Sequence, residues 1–203
     1  MTLITAVLVV RQQQFNSSTL LRSLAYSVAL SVRQAQTYGV STRGTAGNFA
    51  AQSYGIYISN ASLNSYILFA DTDNSGGYNS GDTVVQTFTL GTGYTLTNFA
   101  VQEPNNATNY DCMTNSPVVP IPGGNCVAFP LSSLAIMFHR PNPDGCFVVT
   151  NSGGNSPHGY CDAAASYTSY YPTAYIQISS SGGSSRSIRV NQTGQIEVES
   201  VGT

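Results

Sequence analysis

The chain has no lysine and no tryptophan, and charged residues make up only 8 % of its 203 positions. Seven arginines scattered among nine carboxylates offer no basic patch for a phosphate backbone, so composition gives no expectation of nucleic-acid binding. Catalytic signatures are missing too. There is no G-x-S-x-G elbow, no Walker loop and no dinucleotide fingerprint. Asp and Glu are too sparse to nominate a glycosidase pair. Cys112, Cys126, Cys146 and Cys161 contain no C-x-x-C pair, which argues against a zinc site. These gaps exclude the common enzyme classes, and the expectation is a non-enzymatic chain that needs no cofactor and takes no small-molecule substrate.

Proline and glycine are absent from Thr2 to Tyr38, where apolar residues recur at three- and four-residue steps. Leu20, Leu24, Val28, Val32 and Ala35 share one helical face, with Leu21, Ala25 and Ala29 beside them. At ~1.5 Å per residue the helix would run to roughly 55–60 Å. A domain of this size is only about 35 Å across, so the helix is expected to overshoot its own globule and to need a membrane or further copies as a second partner. Met1–Val10 is apolar all round, yet a bilayer takes ~20 residues to cross. The segment lacks the cationic flank and cleavage site of a signal peptide. It fits a short buried helix start, or the later half of a membrane helix begun upstream; the overshoot favours the latter. The expected division is a stem at 1–40 (1–18 for membrane or filament core, 19–40 for head packing) and a β-rich head at 41–203.

Beyond Gly39 the pattern turns to strands: 54–59, 65–70, 83–90, 94–102, 134–139, 146–150, 174–179, 187–191 and 195–199. Residues 103–130 and 151–172 look like long loops. Short turns elsewhere predict antiparallel sheets closing on each other and on the helix. The expected class is α+β: a long N-terminal helix packed on an antiparallel β-sandwich head. Ser, Thr, Asn, Gln and Gly fill the surface, with 13 tyrosines, a composition common in secreted and filament-forming proteins. Four cysteines then suggest two disulfides among three connectivities. Cys112–Cys126 and Cys146–Cys161 are favoured, since each closes a Gly/Pro/Asn-rich loop, worth roughly 3 kcal/mol in the chain-entropy model. The alternative is four reduced thiols in a cytosolic protein.

Asp71-Thr-Asp73-Asn-Ser75-Gly76-Gly77-Tyr-Asn79-Ser-Gly-Asp82 places oxygen donors at positions 1, 3, 5, 9 and 12 of a twelve-residue loop with Gly at 6. That is the spacing of an EF-hand loop. Asp71, Asp73, Ser75, the Gly77 carbonyl, Asn79 and Asp82 are the candidate ligands for Ca2+, whose role would be to stiffen the loop. The competing account is a hairpin rich in Asp, Asn and Gly because those residues tolerate turns. His139 ends an apolar strand, where a structural role is the default, and His158 lies near Cys161. Tyr167, Tyr170, Tyr171 and Tyr175 fit either half-buried strand tyrosines or a contact surface.

The segments STLLRSLAYSVALSVRQAQTYGVSTRG, YILFADTDNSGGYNSGDTVVQTFTL and IRVNQTGQIEVE together resemble the type IV pilin-like superfamily. The nearest likeness is to the GspH/FimT type of minor pilins and type II secretion pseudopilins. This resemblance implies an N-terminal helix anchored in the inner membrane and then packed in a filament core against other pilin or pseudopilin subunits. The head would lie in the periplasm or on an extracellular filament. The family's prepilin signal, Gly then Phe-Thr-Leu-Ile-Glu, is not in this sequence; MTLITAVLVV resembles the later part of such a helix. Some FimT-type members bind DNA through a basic Gly-Arg-x-Arg motif. The matching region is Ser185-Arg186-Ser187-Ile188-Arg189, with Arg186 and Arg189 at different spacing and on opposite strand faces. A secreted or surface-attached adhesion module and a DNA-uptake minor pilin are the alternatives.

Overall fold

The computed structural model describes residues 2–41, 53–113, 124–127, 130–151, 161 and 171–200, with side chains from Ser17 onward. Among the described residues one helix, α1 (Thr2–Val40), precedes eleven strands. In chain order these are β1 (Ser53–Ser59), β2 (Ser65–Asp71), β3 (Thr83–Thr89), β4 (Tyr94–Gln102), β5 (Asn109–Cys112) and β6 (Asn125–Val127). β7 (Leu131–Phe138), β8 (Gly145–Asn151), β9 (Thr173–Ser180), β10 (Ser185–Asn191) and β11 (Ile196–Ser200) follow. They form a five-stranded sheet, β3-β2-β1-β7-β8, and a six-stranded sheet, β11-β10-β9-β4-β5-β6. The pairings are antiparallel except β5 with β6, which is parallel.

The architecture is therefore mostly β and sandwich-like, which overturns the expected α+β class of a long N-terminal helix packed on an antiparallel β-sandwich head. Side-chain packing of α1 on the sheets is seen for residues 17–40. Periodicity identifies a helix, but it does not say how much of that helix enters a core. Two further strands, β5 and β6, lie in the Asn/Pro-rich stretch expected to be loop. Both are short, and the Cys112–Cys126 bond joins them.

Leu21, Ala25, Val28, Val32 and Ala35 are fully buried, and they join one core with Ile56, Ile58, Leu134 and Ile136 of the first sheet. Leu96, Phe99, Ile176, Ile178, Ile188 and Val190 supply the second sheet's share. Each fully buried Leu, Ile or Val contributes about 1.5–3 kcal/mol relative to exposure. Val28, Val32 and Ala35 are buried as expected, but toward the N-terminal end the stripe shifts by one residue: Leu20, placed on the inner face, is 58 % exposed, while Leu21 is enclosed. At its C-terminal end α1 presses so close that a Cβ on Gly39 would lie 2.4 Å from the Phe138 carbonyl oxygen. The Gln36 amide caps this junction, donating to the carbonyls of Pro143 (2.8 Å) and Gly194 (3.1 Å).

Both outer sheet faces carry small satellite cores, and each has a disulfide in it. Phe69, Ala135, Met137 and Val148 gather around Cys146–Cys161. Ala100, Tyr110 and Tyr175 gather around Cys112–Cys126. Thin apolar patches of this size hold a loop weakly, and the crosslinks supply what area cannot.

Candidate metal centre in the loop between β2 and β3

β2 ends on Asp71 and β3 begins at Thr83, so the twelve-residue acidic segment is the connection of an antiparallel pair. Asn74 (φ 55°) and Gly76 (φ 76°) take left-handed conformations, which turn the chain back on itself. That turn aims backbone amides inward. Ser75 N–H donates to Asp71 Oδ1 (3.0 Å) and to Asp73 Oδ1 (3.0 Å), and Gly76 N–H to Asp71 Oδ2 (3.1 Å). Thr72 and Asn79 N–H groups donate to the two oxygens of Asp82 at 3.1 and 2.8 Å. The Asn79 amide bridges Asp73 Oδ2 (2.9 Å) and Ser75 Oγ (2.7 Å), while Ser75 Oγ donates to the Gly77 carbonyl (3.2 Å).

Asp71, Asp73 and Asp82 each bring a carboxylate oxygen within 4.8 Å of the others. Asp71 is buried, Asp82 half-buried and Asp73 exposed. Burial pushes the Asp71 carboxyl up to about 6; its bonds from Gly76 and Ser75 offset part of this, and the charge of Asp82 adds to it. Burial also raises Asp82. Asp73 is held below the usual carboxylate range, chiefly by the Asn79 amide and then by Ser75. A buried and a half-buried carboxylate that resist ionisation are what a bound cation would relieve.

The donor set suits a hard cation. Oxygens at 2.3–2.6 Å from one Ca2+ lie no more than about 5 Å apart across it, and the three carboxylates meet that limit. Ser75 Oγ and, through it, the Gly77 carbonyl are linked to the same hydrogen-bond network. Asn79 presents its NH2 inward and its Oδ1 to Gly81 N–H (2.6 Å), and it becomes a ligand only by turning its amide over.

Two supports of this loop were not anticipated from sequence. Tyr78 packs against Tyr57 (centroids 4.4 Å) and Phe69 (5.1 Å), pinning the loop to the outer face of the five-stranded sheet. A lone aromatic inside a polar loop is the signal that could have revealed it. The backbone N–H of Cys161 donates to the Gly76 carbonyl at 3.4 Å, which ties the Cys146–Cys161 crosslink to the sixth loop position. Nothing local in the sequence marks that contact.

The other candidate residues lie apart. Arg189 is ion-paired with Glu197 and, at 3.2 Å, with Glu199, so its charge is neutralised on its own sheet. Arg186, opposite Ile178 and Ser200 in the ladder, has no ion pair among the described residues. His139 Nδ1 sits 2.9 Å from Ser53 Oγ in a cleft that Arg140 and Asp144 also line. Tyr171 and Tyr175 are buried; His158, Tyr167 and Tyr170 lie outside the described residues. No helix among the described residues is long and apolar enough to cross a membrane.

Compared with protein-family models, curated proteins and solved structures, the chain matches none of them.

Proposed function

We propose that the chain is a non-enzymatic filament subunit, of the minor-pilin or pseudopilin kind, that enters a type IV pilus or type II secretion filament through α1. The inner membrane would hold α1 before assembly, and the β head would face the periplasm or the exterior. The observation that carries this is the two-sided character of α1. Leu21, Ala25, Val28, Val32 and Ala35 are sealed against the head, while Leu20 (58 %), Tyr26 (47 %) and Leu30 (69 %) stand exposed on the same helix. Apolar side chains left in water on a helix already satisfied on its other face favour packing against further helices. The acidic loop would serve as a calcium-stiffened element of the head, without chemistry of its own.

The test is a Leu20→Glu, Leu30→Glu double variant of the full chain. Both side chains are exposed, so the head should unfold at the wild-type denaturant midpoint while incorporation into sheared surface filaments is lost. Filament incorporation equal to wild type would defeat the proposal.

A further inference from the structure

We infer that Asn106 is an acceptor site for an asparagine-linked glycan, handed over from a lipid diphosphate. The sequence holds four Asn-x-Ser/Thr sequons, at Asn16, Asn60, Asn106 and Asn191. A chain so rich in Asn, Ser and Thr contains several by chance, so only geometry can separate them. Asn16 lies within α1. Asn191 is half-buried on β10 with its amide engaged on both sides: Oδ1 accepts from Thr173 Oγ1 (3.3 Å) and Nδ2 donates to Gln195 Oε1 (3.4 Å). Asn60 is exposed in the turn between β1 and β2, but the hydroxyl of its Ser62 is paired with Ser65 Oγ at 2.7 Å. Asn106 differs from both Asn60 and Asn191.

Residues 104–108 are exposed in the connection between β4 and β5. Their backbone is held: Glu103 N–H donates to the Asn109 carbonyl (3.0 Å), Asn109 N–H to the Asn106 carbonyl (3.2 Å) and Asn125 N–H to the Thr108 carbonyl (2.7 Å). Inside that turn the Asn106 amide oxygen accepts both the Thr108 N–H (3.0 Å) and the Thr108 hydroxyl (2.8 Å). A backbone N–H can only donate, so the atom facing it is Oδ1 and the other is Nδ2. Nδ2 has no hydrogen-bond partner among the described residues. An Asx-turn needs only the backbone bond; the hydroxyl bond is extra, and it bears on reactivity. An amide nitrogen is a poor nucleophile because its lone pair is shared with the carbonyl. When Nδ2 loses a proton, charge gathers on Oδ1, where two donors are already in place to favour it.

The transfer balances without any redox change. Nδ2 gives one proton to a carboxylate base of the transferase, and its electron pair forms the bond to sugar C1. The C1–O bond to the lipid diphosphate breaks with its own pair, and the lipid diphosphate leaves. Both cysteine pairs are in disulfides, which suits a head that matures in an oxidising, exported compartment, where such acceptors are met. Because the turn is already formed, little ordering cost remains when it enters the transferase.

The test incubates the folded, disulfide-bonded full chain with an oligosaccharyltransferase and polyprenyl-diphosphate-linked chitobiose, and reads occupancy by peptide mass spectrometry. Asn106 should be modified at an initial rate at least about tenfold above Asn60 and Asn191. Synthetic peptides of equal length around the three sequons lack the fold and set the reference, and the preference should be much smaller among them. Asn106→Gln and Thr108→Ala should abolish modification of this turn, and Thr108→Ser should retain it. The chain recovered from its own source should carry a mass increment on Asn106 that a peptide N-glycosidase removes. An unmodified Asn106 in the folded chain, a preference no greater than among the peptides, or a bare Asn106 in the chain from its source would each overturn the inference. None of these outcomes depends on filament assembly, so failure here leaves the reading of α1 standing.

Discussion

The hydroxyls of Ser31 on α1 and Tyr66 on β2 meet at 3.0 Å inside the core, a polar contact that stitches the buried face of the helix to the first sheet. Ser31 is also bonded to the Ser27 carbonyl (3.1 Å), whereas burial raises the Tyr66 phenol pKa and leaves that hydroxyl dependent on Ser31.

The two truncations should therefore differ. Tyr66→Phe leaves Ser31 with its carbonyl partner and should cost about 1 kcal/mol or less. Ser31→Ala strands a buried phenol and should cost about 1–3 kcal/mol. Urea midpoints of the two variants decide this; equal costs, or a larger loss in Tyr66→Phe, would contradict it.

Gly39→Ala tests how tightly the end of α1 is seated. The added carbon would lie 2.4 Å from Phe138 O and 2.8 Å from Phe138 C, both backbone atoms that cannot swing aside. Helix propensity alone favours Ala over Gly by about 1 kcal/mol. Overpacking, at about 1–3 kcal/mol, should win. A net destabilisation in thermal or chemical unfolding is expected, and a stabilised variant would show that α1 is free to lift.

Much of this was legible in the residues because period and burial coincide. The three-four repeat of α1 marks a real core stripe, yet a stripe defined by Leu20 or by Leu21 differs by only 100° of helix rotation. Both residues are leucine, so only the sheets beneath could decide. Alternation located nine strands, but β5 and β6 are too short to show a period, and the crosslink between them substitutes for apolar content. The acidic loop was readable because ligand spacing is local. What anchors it, Cys161 against Gly76, joins positions 85 residues apart and leaves no local trace.

Acid should weaken the fold through His139. Burial first, and the neighbouring Arg140 charge second, hold its imidazole below the ordinary value of 6.5. The folded chain thus keeps His139 neutral where the unfolded chain would protonate it. Its contribution is present above about pH 6.5 and is lost as pH falls through the lower folded value. Between pH 7.5 and 5 the unfolding free energy should fall more steeply in wild type than in His139→Gln. Parallel curves for the two proteins would remove His139 as a cause.

Calcium should raise the thermal midpoint at pH 7.5 relative to EDTA. At about 100 times the dissociation constant the gain is ~2.7 kcal/mol, or roughly 5–10 °C for a chain of this length. Asp71→Asn, which removes a charge that lies within 4.8 Å of Asp73 and Asp82, should abolish the response. No shift in wild type at millimolar calcium would reduce the loop to an ordinary hairpin.

The two disulfides should be separable by that same titration. Cys112–Cys126 and Cys146–Cys161 close loops of nearly equal length, with sequence separations of 14 and 15. Chain entropy therefore assigns each about 3 kcal/mol, and replacing either pair by alanine should lower stability by a similar amount. Their surroundings differ. Cys112–Cys126 joins β5 to β6 on the outer face of the six-stranded sheet, remote in the fold from the acidic loop. Cys161 instead donates its backbone N–H to the Gly76 carbonyl, and the Gly76 N–H holds Asp71, so the second crosslink steadies a candidate ligand through one residue. Cys146→Ala with Cys161→Ala should weaken calcium affinity beyond its effect on stability. Cys112→Ala with Cys126→Ala should leave affinity at the wild-type value. Isothermal titration at a temperature where both variants remain folded makes the comparison, and equal affinities in the two would show that the Cys161–Gly76 contact does not position the loop.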